Sequence, residues 1–189
     1  MSKKCILSDR LRINKYKERK LYMKNETAAR YPWLRTKAKK WTMLNNLPKG
    51  WRKTFVTDFQ EELKTTLEDT GLIDDYRVFD CKEKYGQLEW DDFYGCKETD
   101  IIVAKYKELS ANICAGCGKP DVPMTDHKGW IMPLCEDCFH GTHEEYMKAI
   151  EKSPLRMADA IEFEGEQIDI KGTADNIRKN WEEINGKIL

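Results

Sequence analysis

The sequence lacks the apolar segments that membrane insertion or export requires. No apolar run approaches the roughly 18 residues needed to cross a bilayer. The first 20 residues, MSKKCILSDRLRINKYKERK, carry many charges but no apolar stretch of signal-peptide length. We therefore expect a cytoplasmic protein without a membrane partner.

The sequence also lacks the motifs of common enzyme classes. We find no glycine-rich phosphate loop, no nucleophile paired with a base, no internal repeat and no low-complexity linker. The 189 residues are enough for one hydrophobic core and a small appended module. With 40% apolar and 35% charged residues, the chain should fold and present an ionic surface. We expect a protein that is not an enzyme.

A formal net charge of zero conceals a strong asymmetry along the chain. Residues 1–53 contain 17 Lys or Arg and three acidic residues, whereas residues 54–100 contain five and 14. A basic third with interleaved aromatic residues favours a nucleic-acid partner. Alternatively, this third packs on the acidic middle of the chain, and its rings belong to the core. Under the first interpretation, DNA or RNA would be contacted by Arg35, Lys37, Lys39, Lys40, Trp33 and Trp41.

Apolar periodicity predicts an α+β fold with helices and two β-hairpins around one core. Stripes with helical spacing run through residues 55–67 and 102–113. Alternating apolar residues on both sides of Tyr85-Gly86 predict one hairpin, and residues 160–170 predict another. A capping box at Thr142 and Glu145 predicts a helix start. The inward-facing residues of the last two helices should be Tyr146, Met147 and Ile150, then Ile177, Trp181 and Ile184.

These elements divide the chain into four predicted parts. Residues 1–30 form a basic N-terminal segment, and residues 31–112 form the α+β core. Residues 113–143 form a small zinc module of the zinc-ribbon type, with four cysteine ligands. Residues 144–189 form a helix, a hairpin and a helix that complete the fold.

Two Cys-x-x-Cys pairs predict the zinc site, since in a reducing compartment such pairs indicate metal rather than disulfides. Two residues between cysteines let both thiolates face one ion in a tight turn, called a knuckle. Gly116 and Gly118 should supply the positive φ that such turns need. Four thiolates complete the tetrahedron of one structural Zn²⁺, with iron as the alternative, and the ion would hold the loop 119–134 in shape. The predicted ligands are Cys114, Cys117, Cys135 and Cys138, which leaves Cys5, Cys81 and Cys96 as free thiols.

An Asp126-His127 pair lies between the cysteine pairs, and His140 and His143 follow the second pair. This order is similar to that of the His-Asn-His nucleases, in which zinc knuckles flank a strand–strand–helix metal unit. The resemblance implies His127 as general base and His140 or His143 as ligand of a catalytic cation. The chain departs from the family pattern, because only seven residues separate His127 from Cys135 and none is Asn. The alternative is a loop histidine at 127 and two histidines at a helix start, where one replaces or supports a thiolate ligand.

Five segments within residues 31–139 together resemble a family of small phage and prophage proteins. In chain order they are YPWL, LPKGW, KEKYGQLEW, ELSANICAGCGKP and GWIMPLCEDC. The resemblance implies a zinc module and a phage origin, and it implies no reaction. Small phage proteins often act by binding host factors, including defence proteins, so we expect a zinc-binding interaction protein with a host macromolecule as its partner. Sequestration of a small signalling molecule is a further alternative.

Overall fold

The computed structural model describes residue 27 and residues 29–35, 42–153 and 160–186. Within these residues, five helices and three antiparallel two-stranded hairpins confirm the predicted α+β class. The helices are α1 Lys49–Thr54, α2 Val56–Asp69, α3 Lys97–Ser110, α4 His143–Lys152 and α5 Lys171–Gly186. The hairpins are β1 Arg77–Lys84 with β2 Gln87–Phe93, β3 Met124–His127 with β4 Trp130–Pro133, and β5 Ala160–Phe163 with β6 Glu166–Asp169.

The predicted apolar stripes meet in one hydrophobic cluster, the main core. It joins two short 3-10 turns, Pro32–Leu34 and Met43–Asn46, to α1, α2, α3, the β1–β2 hairpin and α5. Each fully buried Leu, Ile or Phe contributes about 1.5–3 kcal/mol relative to an exposed one, so this cluster is the main source of stability. Its members include Phe55, Phe59, Leu63, Leu67, Leu88, Ile102, Tyr106, Leu109, Ile170 and Ile177.

The β1–β2 hairpin has the predicted turn, in which Tyr85 (φ 52°) and Gly86 (φ 80°) both adopt left-handed conformations. Two consecutive positive φ values are what a type I′ hairpin turn requires. A Cβ atom at Gly86 would lie 2.4 Å from Sδ of Met124, so the tip fits closely against the start of β3. The hairpin therefore connects the main core with the cysteine-containing part of the chain.

Residues 119–134 do not form the predicted loop, because they contain the β3–β4 hairpin with a turn at Lys128-Gly129. Helix α4 packs on β3, and Phe139, Tyr146 and Ala149 form a small cluster beside it. The prediction that Met147 faces inward is wrong, since 44% of this residue is exposed and Ala149 is buried instead. We call residues 113–152, with both knuckles, β3, β4 and α4, the metal module.

The C-terminal hairpin and helix return to the main core. The β5–β6 turn at Glu164-Gly165 and the burial of Ile177 confirm the predicted hairpin and helix face. Ile184 is exposed, so the predicted apolar face ends before the last turn of α5. Among the described residues, no helix combines the length and the apolar character needed to cross a bilayer.

Candidate metal centre

The first knuckle begins directly after α3. Cys114 N donates to Lys119 O at 2.8 Å, and Gly118 N donates to Cys114 O at 2.9 Å, which closes the tight turn around Cys117. Ala115 N donates to Pro133 O at 2.9 Å and so ties this turn to the end of β4. Because Cys135 follows β4 by two residues, the hairpin brings the second knuckle to the first.

The four predicted ligands converge, with all four sulfurs within 4.8 Å of one another. Sγ of Cys135 lies 3.6 Å from both Cys114 Sγ and Cys117 Sγ. A tetrahedral site with Zn–S bonds of about 2.3 Å has sulfur–sulfur edges of roughly 3.8 Å, so the cluster fits a four-coordinate zinc ion. The cysteines therefore form a cluster that could bind a metal ion.

The thiols of this cluster differ in pKa because their surroundings differ. Burial opposes ionisation of Cys114, but backbone N–H groups of Cys117, Cys135 and Gly116 point at its sulfur and lower its pKa. Burial, together with the charge of Cys114, raises the pKa of Cys135 to about 11. Burial and a hydrogen bond with Cys135 raise the pKa of Cys138. A divalent cation would compensate this repulsion and let all four thiolates form.

The two glycines of the first knuckle have different roles. Gly118 has a φ of 92°, as predicted. Gly116 does not have a positive φ, so that part of the prediction is wrong. A Cβ atom at Gly116 would lie 2.8 Å from Cys138 Sγ, and glycine is needed there for close approach of the two knuckles.

Helix α1 holds the first knuckle against the main core through three hydrogen bonds. Gly50 N donates to Ala115 O at 2.9 Å, the Trp51 indole Nε1 donates to Ile113 O at 2.8 Å, and Thr54 Oγ1 donates to Gly118 O at 2.8 Å. A Cβ atom at Gly50 would lie 2.1 Å from Cys114 O. The metal module is therefore docked on the main core by backbone contact and is not merely tethered to it.

Helix α4 contacts the second knuckle through side-chain hydrogen bonds. Its predicted capping box is present, with Thr142 Oγ1 accepting from Glu145 N and Glu145 Oε2 accepting from Thr142 N. The Tyr146 hydroxyl donates to Leu134 O, one residue before Cys135, at 3.1 Å. His143 Nδ1 lies 2.7 Å from Glu136 Oε1 within the second knuckle.

The nuclease interpretation has part of its structural context, because β3, β4 and α4 form a strand–strand–helix unit with His127 at the end of β3. The His127 ring lies edge-on to Phe139, with ring centroids 5.0 Å apart, and Asp126 Oδ1 accepts from Gly129 N at 2.9 Å. Among the described residues, the four cysteines are the one group of three or more potential ligands close enough to hold an ion. The described residues thus contain no second group of three or more potential ligands for a catalytic cation.

A groove of about 520 Å³ lies between parts of the metal module and the elements around the main core, and we call it the module groove. The main core contributes Asn46, Leu47, Pro48 and Glu83 to its lining. The metal module contributes both knuckles, with Cys138 and Phe139, and the hairpin residues Thr125, Trp130 and Met132. His127 and His140 also line it. The feature of the sequence that could have indicated this groove is Trp130. It is an aromatic residue within the segment that the cysteine spacing predicts as a loop.

The predicted nucleic-acid contacts are only partly described. Trp33 is 1% exposed and its indole Nε1 donates to Gln60 Oε1 at 2.8 Å, so the prediction that this ring stacks on bases is wrong. Arg35 is exposed and pairs in an isolated β-bridge with Thr42. Lys37, Lys39, Lys40 and Trp41 lie outside the described residues, as does Cys5. Part of the described basic third contacts the acidic middle, with Arg30 Nε 2.7 Å from Glu61 Oε1.

The cluster and the groove are thus built from residues that lie between Asn46 and His140 in the chain. The arrangement can hold a metal ion and offers a cavity next to it. No protein-family model, curated protein or solved structure significantly matches this chain.

Proposed function

We propose that this chain is a non-enzymatic interaction protein in which one zinc ion has a structural role. The observation that carries the proposal is the closed ligand set, because four converging thiolates leave no coordination position for water or substrate. A closed site contributes stability and shape, which are the properties that a binding surface needs.

The partner in this proposal is a protein of a bacterial host, and it binds at the module groove. The resemblance to phage-encoded proteins provides the host context. The exposed side chain of Trp130 supports the groove as the contact site, since aromatic residues at the centre of interfaces carry much of the binding energy.

Photocrosslinking tests this function. A photoreactive phenylalanine analogue is placed at Trp130 or, as the control, at Tyr94, which is similarly exposed but does not line the groove. We expect one host protein to crosslink from position 130 and not from position 94, and to form a stoichiometric complex when both proteins are purified. Equal crosslinking from the two positions would contradict the proposal, as would a protein that folds without zinc.

The nuclease alternative rests on His127 at the end of β3 and is tested separately. Zinc-loaded protein would cleave plasmid DNA in the presence of Mg²⁺ or Mn²⁺, and His127→Ala would abolish the cleavage. We expect no cleavage, since the described residues contain no second group of three or more potential ligands around His127.

A further inference from the structure

The module groove has the size of a specific ligand site. Its volume of about 520 Å³ falls within the roughly 300–1,000 Å³ typical of pockets that bind small molecules or peptide side chains. Its floor is apolar, with Leu47, Pro48, Met132, Leu134 and Phe139 on the lining. A ligand with an apolar part would release water from this surface.

Trp130 lines this groove with 68% of its surface exposed. It is the first residue of β4 and pairs with His127, and the tight turn between them is held by the bond from Gly129 N to Asp126 Oδ1. A tryptophan side chain offers a large contact area with only two rotatable bonds, so ordering it on a partner costs little conformational entropy. Indole is also the aromatic group that attracts cations most strongly.

The fixed charges at the groove are negative. Of the described residues on the lining, none is Lys or Arg, whereas Glu83 is present with Oε1 held 2.6 Å from Gly86 N. Cys138 also lines the groove, and four thiolates around one zinc ion carry a formal net charge of about −2. The metal module as a whole contains seven acidic residues and four lysines. The lining therefore favours a cation and repels a phosphate.

We propose that the module groove binds a peptide segment of a partner protein in which apolar side chains alternate with lysine or arginine. Trp130 stacks on a cationic side chain, Glu83 pairs with its charge, and the apolar floor accepts the neighbouring residues. This inference rests on the proposed function and names the chemistry of the partner. A nucleic acid is the competing ligand, and the charge of the lining disfavours it.

The test uses the full-length, zinc-loaded protein and a fluorescein-labelled peptide of about 12 residues with alternating leucine and lysine. Fluorescence anisotropy is measured at the same pH for every peptide and variant. A matched peptide carries glutamate in place of lysine. We expect the lysine peptide to bind at least about tenfold more tightly, and its affinity to fall as salt rises.

Four variants locate the binding. Trp130→Ala should weaken binding of the lysine peptide about tenfold or more, and Glu83→Gln, which keeps the acceptor for Gly86 N, about two- to fivefold. The matched controls are Tyr94→Ala and Glu98→Gln, both outside the groove, and they should change the affinity less than about twofold. The zinc content and melting temperature of each variant confirm that it folds.

The inference is overturned if the two peptides bind equally, if Trp130→Ala leaves the affinity unchanged, or if the controls weaken binding as much as the groove variants. It is also overturned if a single-stranded DNA oligonucleotide competes for the groove and loses affinity with Trp130→Ala. A host protein that crosslinks from position 130 while the lysine peptide does not bind would refute the peptide chemistry and leave the proposed function standing. If the peptide binds but the folded protein contains no structural zinc ion, the proposed function is refuted instead.

Discussion

At the scale of single residues, Cys135 is the sulfur on which the geometry of the cluster depends most. It is buried and lies 3.6 Å from two other ligands, and it connects the β3–β4 hairpin to the second knuckle. Cys135→Ser should reduce the zinc content well below one ion per chain and lower the free energy of unfolding by roughly 3 kcal/mol or more. Elemental analysis and urea unfolding measure the two effects.

Cys96 provides the matched control for this substitution. It precedes α3 as the N-cap residue, where its side chain accepts from the backbone of Thr99. Serine is a good N-cap residue, so Cys96→Ser should keep both the zinc ion and the stability. A Cys135→Ser protein that binds zinc as well as Cys96→Ser does would refute the ligand assignment.

Asp92 is the partly buried carboxylate of a hydrogen-bonded trio in the β1–β2 hairpin. The Tyr76 hydroxyl donates to Asp92 Oδ2 at 2.6 Å, and the Trp90 indole donates to that hydroxyl at 2.9 Å. Burial raises the pKa of Asp92 above its ordinary value of 3.8, although hydrogen bonds to this carboxylate from Tyr76 and Trp90 oppose the shift. The folded state therefore holds this proton more tightly than the unfolded state does.

The raised pKa of Asp92 determines the direction in which the free energy of unfolding changes with pH. The contribution of Asp92 to stability is fully present below pH 3.8 and is lost as pH rises through the folded-state pKa. Asp92→Asn, which keeps an acceptor for Tyr76, should remove this loss, so the difference in stability between variant and wild type should shift in favour of the variant between about pH 4 and 7. Urea unfolding across this range measures it, and a difference that does not change with pH would contradict the assignment.

Residue identities alone predicted the cysteine cluster but misjudged Trp33. Cysteine spacing carries information because only short gaps allow two thiolates to face one ion. The local sequence pattern of a tryptophan beside basic residues does not distinguish a ring that faces solvent from one that lies in the core. In the fold this ring lies in the main core, and its N–H donates to Gln60, which is 27 positions away on α2.

At the scale of elements, α1 and the first knuckle form a close backbone contact between the main core and the metal module. Gly50→Ala would place a methyl group against the Cys114 carbonyl and Gly118 N, both of which are backbone atoms that cannot rotate away. We expect a loss of about 2 kcal/mol in the free energy of unfolding, measured in urea.

Gly172, in the first turn of α5, is the control for this substitution. A methyl group there would meet only the end of the Asp169 side chain, which can move, and alanine is the better helix former. Gly172→Ala should therefore be neutral or slightly stabilising. Equal destabilisation by the two substitutions would mean that the contact at Gly50 has no special role.

Element periodicity predicted the helices better than the strands, for reasons visible in β1. Val78 and Cys81 are both buried although they are three positions apart, so they cannot share a face of a regular strand. A bulge between Val78 and Asp80 resolves the conflict and leaves Phe79, an apolar residue of the predicted strand, 52% exposed beside Phe93. The four-residue strands β3 and β4 were missed because their alternation is too short to distinguish from a loop.

At the scale of the whole molecule, we expect the metal ion to stabilise part of the main core as well as the metal module. The backbone of α1 donates to the first knuckle through Gly50 N, and the Trp51 ring lies in the main core while its N–H donates to Ile113 O. Loss of the ion would free the knuckle and, through these bonds, loosen one edge of the main core. Hydrogen exchange followed by mass spectrometry can separate these two steps.

We expect removal of zinc by a chelator to reduce amide protection about tenfold or more in residues 113–139 and, in the same experiment, in residues 49–55. The centre of α2 should keep its protection because Leu63 and Leu67 are fully buried in the main core. If protection falls in 113–139 alone, the module is tethered rather than docked and α1 does not transmit the effect. If α2 loses protection to the same extent, the ion supports the entire fold, and the binding surface around Trp130 and the main core unfold as one unit.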